Sequence, residues 1–214
     1  MTGRPAKAPP HRHGARVTRA RILEAARREL GRDPDRSLAG IAEAAGVARR
    51  TVYVHFADRA ALVEGLTADA AEAVRLAIAD TGTPAPDSAS ALARFVLTLW
   101  PVGDRYRTLI GLARRGLGDD RVSELLAPAR DTVAGILAAG RQEGVFHSTV
   151  PPGSLSRTLE AHLRALLDCV NSGMWTDDGT RAATAALIAA GVDSESAAAT
   201  VTRLHGNSRT PQPL

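Results

Sequence analysis

The chain has 214 residues, 44% hydrophobic and 23% charged, with one cysteine, Cys169. A chain of this length buries about 70% of its unfolded surface without staples, and a lone thiol excludes both an internal disulfide and zinc sites of the four-cysteine or paired-cysteine kind. The net charge is +4, yet residues 1–60 hold 13 Arg/Lys against 6 Asp/Glu and residues 61–214 hold 14 against 17, so the basic excess belongs to the first quarter and points to a polyanion partner there, nucleic acid ahead of a membrane surface.

Residues 1–15 are rich in Pro, Arg, His and Gly and read as a flexible basic arm. They lack the apolar stretch of a signal peptide, and no apolar run in the chain approaches the roughly 20 residues of a membrane span, so the expected location is the cytoplasm. Beyond the arm nearly every segment has helical periodicity, is rich in Ala and Leu, and is separated from the next by Gly, Pro or Asp. The fold class expected is all-α. Helices are predicted over 18–30, 38–45, 48–55, 59–80, 88–99, 105–117, 121–143, 155–174 and 180–190. A further helix over 194–204 is capped by Asp193 if Gly191 ends its predecessor, whereas the alternative is one long helix bent at Gly191. The tail 206–214, with Pro211 and Pro213, is expected to fray.

The first three helices carry the strongest pattern. Leu23, Ala26 and Leu30 share one face of the first, and Leu38, Ile41, Ala42 and Ala45 one face of the second. Thr18 and Ser37 stand at the expected N-caps, Gly46 allows a tight turn, and Val47 can plug it. On the short third helix Val52 and Phe56 are the core anchors. At about 100° per residue, an inward Val52 turns Arg50, Thr51, Tyr53 and Val54 outward and leaves Arg49 and His55 on the flanks. Such a face suits the major groove, where Arg donates twice to guanine and Thr or Tyr reaches a phosphate or a thymine methyl. Two adjacent arginines also fit a solvated face. It is the order of parts inside the basic segment, two capped helices, a glycine turn and a short basic helix, that favours a helix-turn-helix over 16–60.

Thr18-Arg19, Ile22-Leu23, Ala25-Ala26, Ser37-Leu38, Ile41-Ala42, Ala45-Gly46-Val47, Thr51-Val52-Tyr53, His55-Phe56 and Leu62 together resemble the DNA-binding domain of TetR-type transcriptional regulators over about residues 16–65. The resemblance implies recognition-helix contacts to double-stranded operator DNA from Arg49, Arg50, Thr51, Tyr53 and His55, and phosphate clamping by Ser37 and Arg59. Arg50 stands where the family often has Gly, Ala39 leaves the second helix without a base-reading side chain, and Arg59 replaces the commoner Lys. The third helix, with Arg4, Lys7 and Arg12 of the arm, would then do most of the reading.

Residues 61–205 resemble the family only in length and helical content, as a divergent ligand-binding and dimerisation domain would. Leu62, Leu66 and Ala70 make the fourth helix the expected link, which the resemblance implies shifts on ligand binding. Candidate walls for a small-molecule effector are Phe95, Trp100, Tyr106, Leu109, His162, Leu166, Cys169, Met174 and Trp175, with Leu99, Ile110, Leu125 and Val133 nearby. Each taken singly also fits a helical core. His162 and Cys169 share a helix face, where a buried histidine with a partner is the simpler reading. Leu155, Leu159, Leu163, Leu166 and Val170 form one stripe, and 182–190 is apolar nearly all round. Cover beyond what one chain supplies would make these two helices a two-fold homodimer interface, unless the second is simply buried within the monomer.

The reading that follows is a TetR-type repressor released from a palindromic operator by a small molecule, with no cofactor or metal. An architectural DNA-binding protein without effector shares the basic segment. An all-α enzyme acting on a small hydrophobic molecule would need a motif absent here, since there is no His-Glu-x-x-His and no phosphate-binding glycine loop. Val52→Asp buries an unpartnered charge beneath the third helix and is expected to unfold the N-terminal domain, measured as loss of helical circular dichroism.

Overall fold

The computed structural model describes residues 10–81, 85–117 and 119–208. Its regular structure is helical throughout, with no strand among the described residues. In chain order the helices are α1 (Pro10–Arg32), α2 (Leu38–Ala44), α3 (Arg49–His55), α4 (Arg59–Asp80), α5 (Ser88–Leu117), α6 (Asp119–Gln142), α7 (Pro152–Asn171), α8 (Thr180–Ala189) and α9 (Ser194–Ser208). Two units divide the chain after Ala68, and the stretch from Thr108 belongs with the first.

In the first unit Ile22, Leu23, Ala25, Ala26 and Leu30 of α1 are buried with Ile41, Ala42 and Ala45 around α2, Val52 and Phe56 of the third-helix segment, and Leu62, Val63 and Leu66 of α4. These are the positions that the 3.6-residue period selects. The start of α1 differs from the sequence expectation. It begins at Pro10, so residues 10–15 are helix rather than arm, and Thr18 lies inside the helix where it cannot cap. Proline is suited to a first turn whose amides have no intrahelical partner, and the Arg, His and Ala residues that follow are adequate helix formers. Arg4 and Lys7 lie outside the described residues.

The second unit has its own core, which includes Leu92, Phe95, Val96 and Trp100 of α5, Leu137 of α6, Phe146 between α6 and α7, Leu155 and Leu159 of α7, Leu187 of α8, and Val201 of α9. The break expected at Pro101 does not occur, because α5 runs through it. Pro101 is exposed, so the carbonyl that loses its amide partner can turn to water, while buried Trp100 and Tyr106 continue the inward face on either side.

Gly191 ends α8 rather than bending it. With φ at +97°, it donates its amide to the Ile188 carbonyl while the Val192 amide donates to Leu187. Asp193 then opens α9, its Oδ1 accepting from the Ser196 amide at 2.9 Å, and that bond is the main cause holding its carboxyl below the usual range.

Of the two readings open for α8, burial within its own chain holds for its inward side. Ala182, Ala183, Ala186, Leu187 and Ala190 are completely buried within the one chain, because α7 and α9 both pack on α8. Ile188, 46% exposed, is the large apolar side chain of α8 left at the surface. Leu187→Ala is expected to cost about 2–5 kcal/mol through the cavity it leaves, read as a lower urea midpoint for the transition of the second unit.

Candidate nucleic-acid interface

Ser37 opens α2 in extended conformation (ψ 156°), and its Oγ accepts from the Gly40 amide at 3.2 Å. At the other end of α2 the Gly46 amide donates to Glu43 and the Val47 amide to Ala42, at 3.0 Å each. This double bond pattern requires the left-handed backbone that Gly46 supplies at φ +62°. The chain leaves the turn through Ala48, which caps α3 without a side-chain bond.

α3 has only seven residues, too few to be stable alone, so its helicity comes from what it packs on. Val52 is completely buried and Phe56 nearly so. A Cβ on Gly65 of α4 would lie 2.7 Å from the Phe56 ring, so the absence of a side chain there lets the ring seat against α4. The Arg19 guanidinium covers the ring 5.2 Å from its centroid.

With that side anchored, the other side of α3 is committed. Arg49 and Arg50 are exposed, Tyr53 is 43% exposed, Val54 projects into solvent, and Thr51 and His55 are half-buried. The Arg49 guanidinium lies 5.8 Å from the Tyr53 ring centroid, so those two side chains stand together. No acidic residue occurs in α3, and the face is wholly basic, polar or apolar.

The phosphate-clamp positions have further structural work. Ser37 spends its oxygen lone pair on the α2 cap while its hydroxyl hydrogen remains a donor. The first turn of α4 is capped by Asp58, whose Oδ1 accepts from the Ala61 amide at 2.8 Å. Asp58 escaped the sequence reading, although an aspartate just ahead of an apolar-periodic run is a start signal. Half-buried Arg59 donates to the Arg36 carbonyl at 2.8 Å and also to the Pro34 carbonyl. It therefore braces the loop that presents Ser37.

The nine side chains expected around an effector are not brought together as a set. Phe95, Trp100, Tyr106 and Leu109 are buried, and Leu166, Cys169 and Trp175 are half-buried. His162 is exposed rather than buried, and Met174 is 74% exposed. His162 sits one residue, about 100° of turn, from the inward Leu163, and so falls at the rim of the α7 stripe. Met174 lies just beyond the end of α7.

Trp100 and Trp175 do meet, edge to face at 6.0 Å between centroids, and the Trp100 indole N–H donates to the Asp177 carbonyl at 3.1 Å. The Tyr106 hydroxyl donates to Asp69 Oδ2 at 2.5 Å. Of the other candidates nearby, Val133 is buried and Leu99 and Leu125 are half-buried, whereas the Ile110 side chain lies outside what the structure describes. A groove of about 570 Å³ runs between α8 and α9, lined in part by Thr184, Ile188, Val201, Thr202 and His205, and none of the nine candidates borders it. Among the described residues no three His, Cys, Asp or Glu side chains cluster as a metal site, and no helix is long and apolar enough to cross a membrane.

Residues 22–66 match the family described as bacterial regulatory proteins, tetR family. No curated protein matches the chain in sequence comparison. Among solved structures, a gamma-butyrolactone receptor described as an ArpA-like protein superposes with a TM-score of 0.71 at 19% identity, over 90% of this chain and 98% of that one. LfrR from Mycobacterium smegmatis, a TetR-like transcriptional regulator in complex with proflavine, gives 0.64 at 23% identity over 81% and 93%. A tetR-family regulatory protein from Rhodococcus RHA1 gives 0.64 at 17% identity over 81% and 95%. At these identities the likeness is one of fold.

Arg59→Ala is expected to lower the stability of the DNA-free protein by about 1–2 kcal/mol, since it removes two charge-assisted bonds to a loop. A side chain serving only a phosphate would leave the melting temperature unchanged.

Proposed function

We propose that this chain, whose residues 22–66 match the tetR family of bacterial regulatory proteins, is a transcriptional repressor that binds a palindromic operator as a homodimer and leaves it when a small molecule binds. The observation that carries this reading is the outward face of α3, where Arg49, Arg50 and Tyr53 stand exposed over a buried Val52. A helix of about 10–12 Å diameter enters the major groove, and arginines there have guanine edges and phosphates as partners. Thr51 and His55 flank the same face, and the unused donors of Ser37 and Arg59 reach the adjoining phosphates.

A two-fold homodimer places two copies of α3 about 34 Å apart on successive major-groove faces and so reads an inverted repeat. The second copy docks on the outward faces of α7 and α8, where Ile188 is left exposed. The effector is a small, largely apolar molecule taken up by the second unit, with Phe95, Trp100, Tyr106, Leu166 and Trp175 as its first candidates for contact. LfrR, bound to proflavine, supports an organic ligand of that kind. Since α4 contributes its first ten residues, Arg59–Ala68, to one unit and the rest to the other, it is the element through which the two ligand affinities are coupled. The protein acts in the cytoplasm without enzymatic activity of its own.

Selection of bound duplexes from a random pool is expected to return an inverted repeat whose binding survives nonspecific competitor, and a screen of apolar organic molecules to return one that releases it. Loss of binding under competitor would instead indicate an architectural protein without sequence preference. On the selected site, Arg50→Ala is expected to lower affinity by about 1–3 kcal/mol and to relax the preference at one base pair per half-site, with helicity unchanged. Unchanged affinity and unchanged preference would remove Arg50 from the interface.

A further inference from the structure

Val54 is the most exposed large hydrophobic side chain among the described residues, at 76%. It lies in the middle of the basic face, between Tyr53 and His55 and one turn from Arg50. Neither core packing nor helix formation accounts for it. Its side chain points away from the Val52 side, and valine is a poorer helix former than the lysine, glutamine or arginine that a solvated position would accept.

An apolar side chain pressed into the major groove desolvates whatever base edge it meets. The adenine and cytosine amino groups and the guanine oxygen lose water with no return, whereas the C5-methyl of thymine gains an apolar contact. Valine at this place therefore discriminates, and in one direction.

Resting on the operator-binding reading above, we propose that Val54 is a base-reading residue specific for a thymine methyl, one thymine in each half-site. The neighbouring pairs give it a register. Arg49 and Tyr53 stand together as one ridge of α3, and Arg50 and Val54, four residues apart, form the adjacent ridge. Four residues advance about 6 Å along a helix, against about 3.4 Å per base step, so the thymine lies one or two base pairs from the guanine read by Arg50. The half-site then holds a guanine and a thymine at that spacing.

The test uses the full-length protein and the operator it selects, with each thymine of a half-site replaced in turn by deoxyuridine, which deletes only the methyl. For the unaltered protein, one replacement per half-site is expected to weaken binding about fourfold, the worth of one buried methyl-sized group. Val54→Ala, which changes both protomers, is expected to bind the thymine operator more weakly by about that factor for each half-site and to show no further loss on deoxyuridine at that position. Val54→Ile, which keeps the apolar surface, retains the deoxyuridine penalty. Because Val54 is exposed and alanine is the stronger helix former, both variants are expected to keep the circular dichroism of the parent.

If no thymine shows a penalty that depends on residue 54, the assignment is overturned, and the repressor reading still stands provided that Arg50→Ala weakens binding. If the protein selects no sequence at all, the repressor reading itself falls and takes the assignment with it.

Discussion

The burial of Val52 and Phe56 is the constraint on which the interface depends. Seven residues cannot hold a helix in water, because nucleation fixes several dihedral angles for each hydrogen bond gained. α3 is a helix because Val52 is sealed beneath it and Phe56, just past its end, is seated in the notch at Gly65 and roofed by Arg19. That single anchoring face also settles the direction of every other side chain on the segment. The orientation of Arg49, Arg50, Tyr53 and Val54 is a consequence of a hydrophobic contact on the opposite side.

The supports around α3 divide the labour between backbone and side chain. Gly46 supplies the left-handed turn that closes α2 and starts the path into α3, while Ser37 and Asp58 satisfy amides at the beginnings of α2 and α4. Arg59 joins the start of α4 to the carbonyls ahead of Ser37. The resemblance implies a phosphate contact at this position, and the bonds that Arg59 makes in the protein are structural. A guanidinium has enough donors for both tasks, which gives a physical reason for arginine where the family more commonly has lysine.

The second unit follows a different logic. Its core combines alanines around α8 with large side chains such as Phe95, Trp100, Leu137 and Phe146 from elsewhere in the unit. Aromatic residues are scarce in the chain, at 3%, and two of them, Trp100 and Trp175, are used against each other with the indole N–H satisfied by a carbonyl. That arrangement accounts by packing for Trp100, which lies in the middle of α5, and for Trp175, which lies just past the end of α7, and it leaves any effector to find its own contacts among the same side chains.

The helix-turn-helix was legible in the sequence because its signals are local. Caps, a glycine turn and apolar residues three and four apart act over a few residues, and all were present between Ile22 and Leu66. The outward set on α3 followed from the same periodicity once Val52 was taken as inward. What the sequence could not show is how far a local signal carries against distant packing. It did not show whether Pro101 breaks a helix when inward residues continue on both sides, whether α8 is covered by its own chain, or on which side of the α7 stripe His162 falls. Each of these depends on contacts between residues remote in sequence. The pairing of Trp100 with Trp175 and the bracing by Arg59 belong to the same class, since no periodicity along the chain encodes which distant partner a side chain meets.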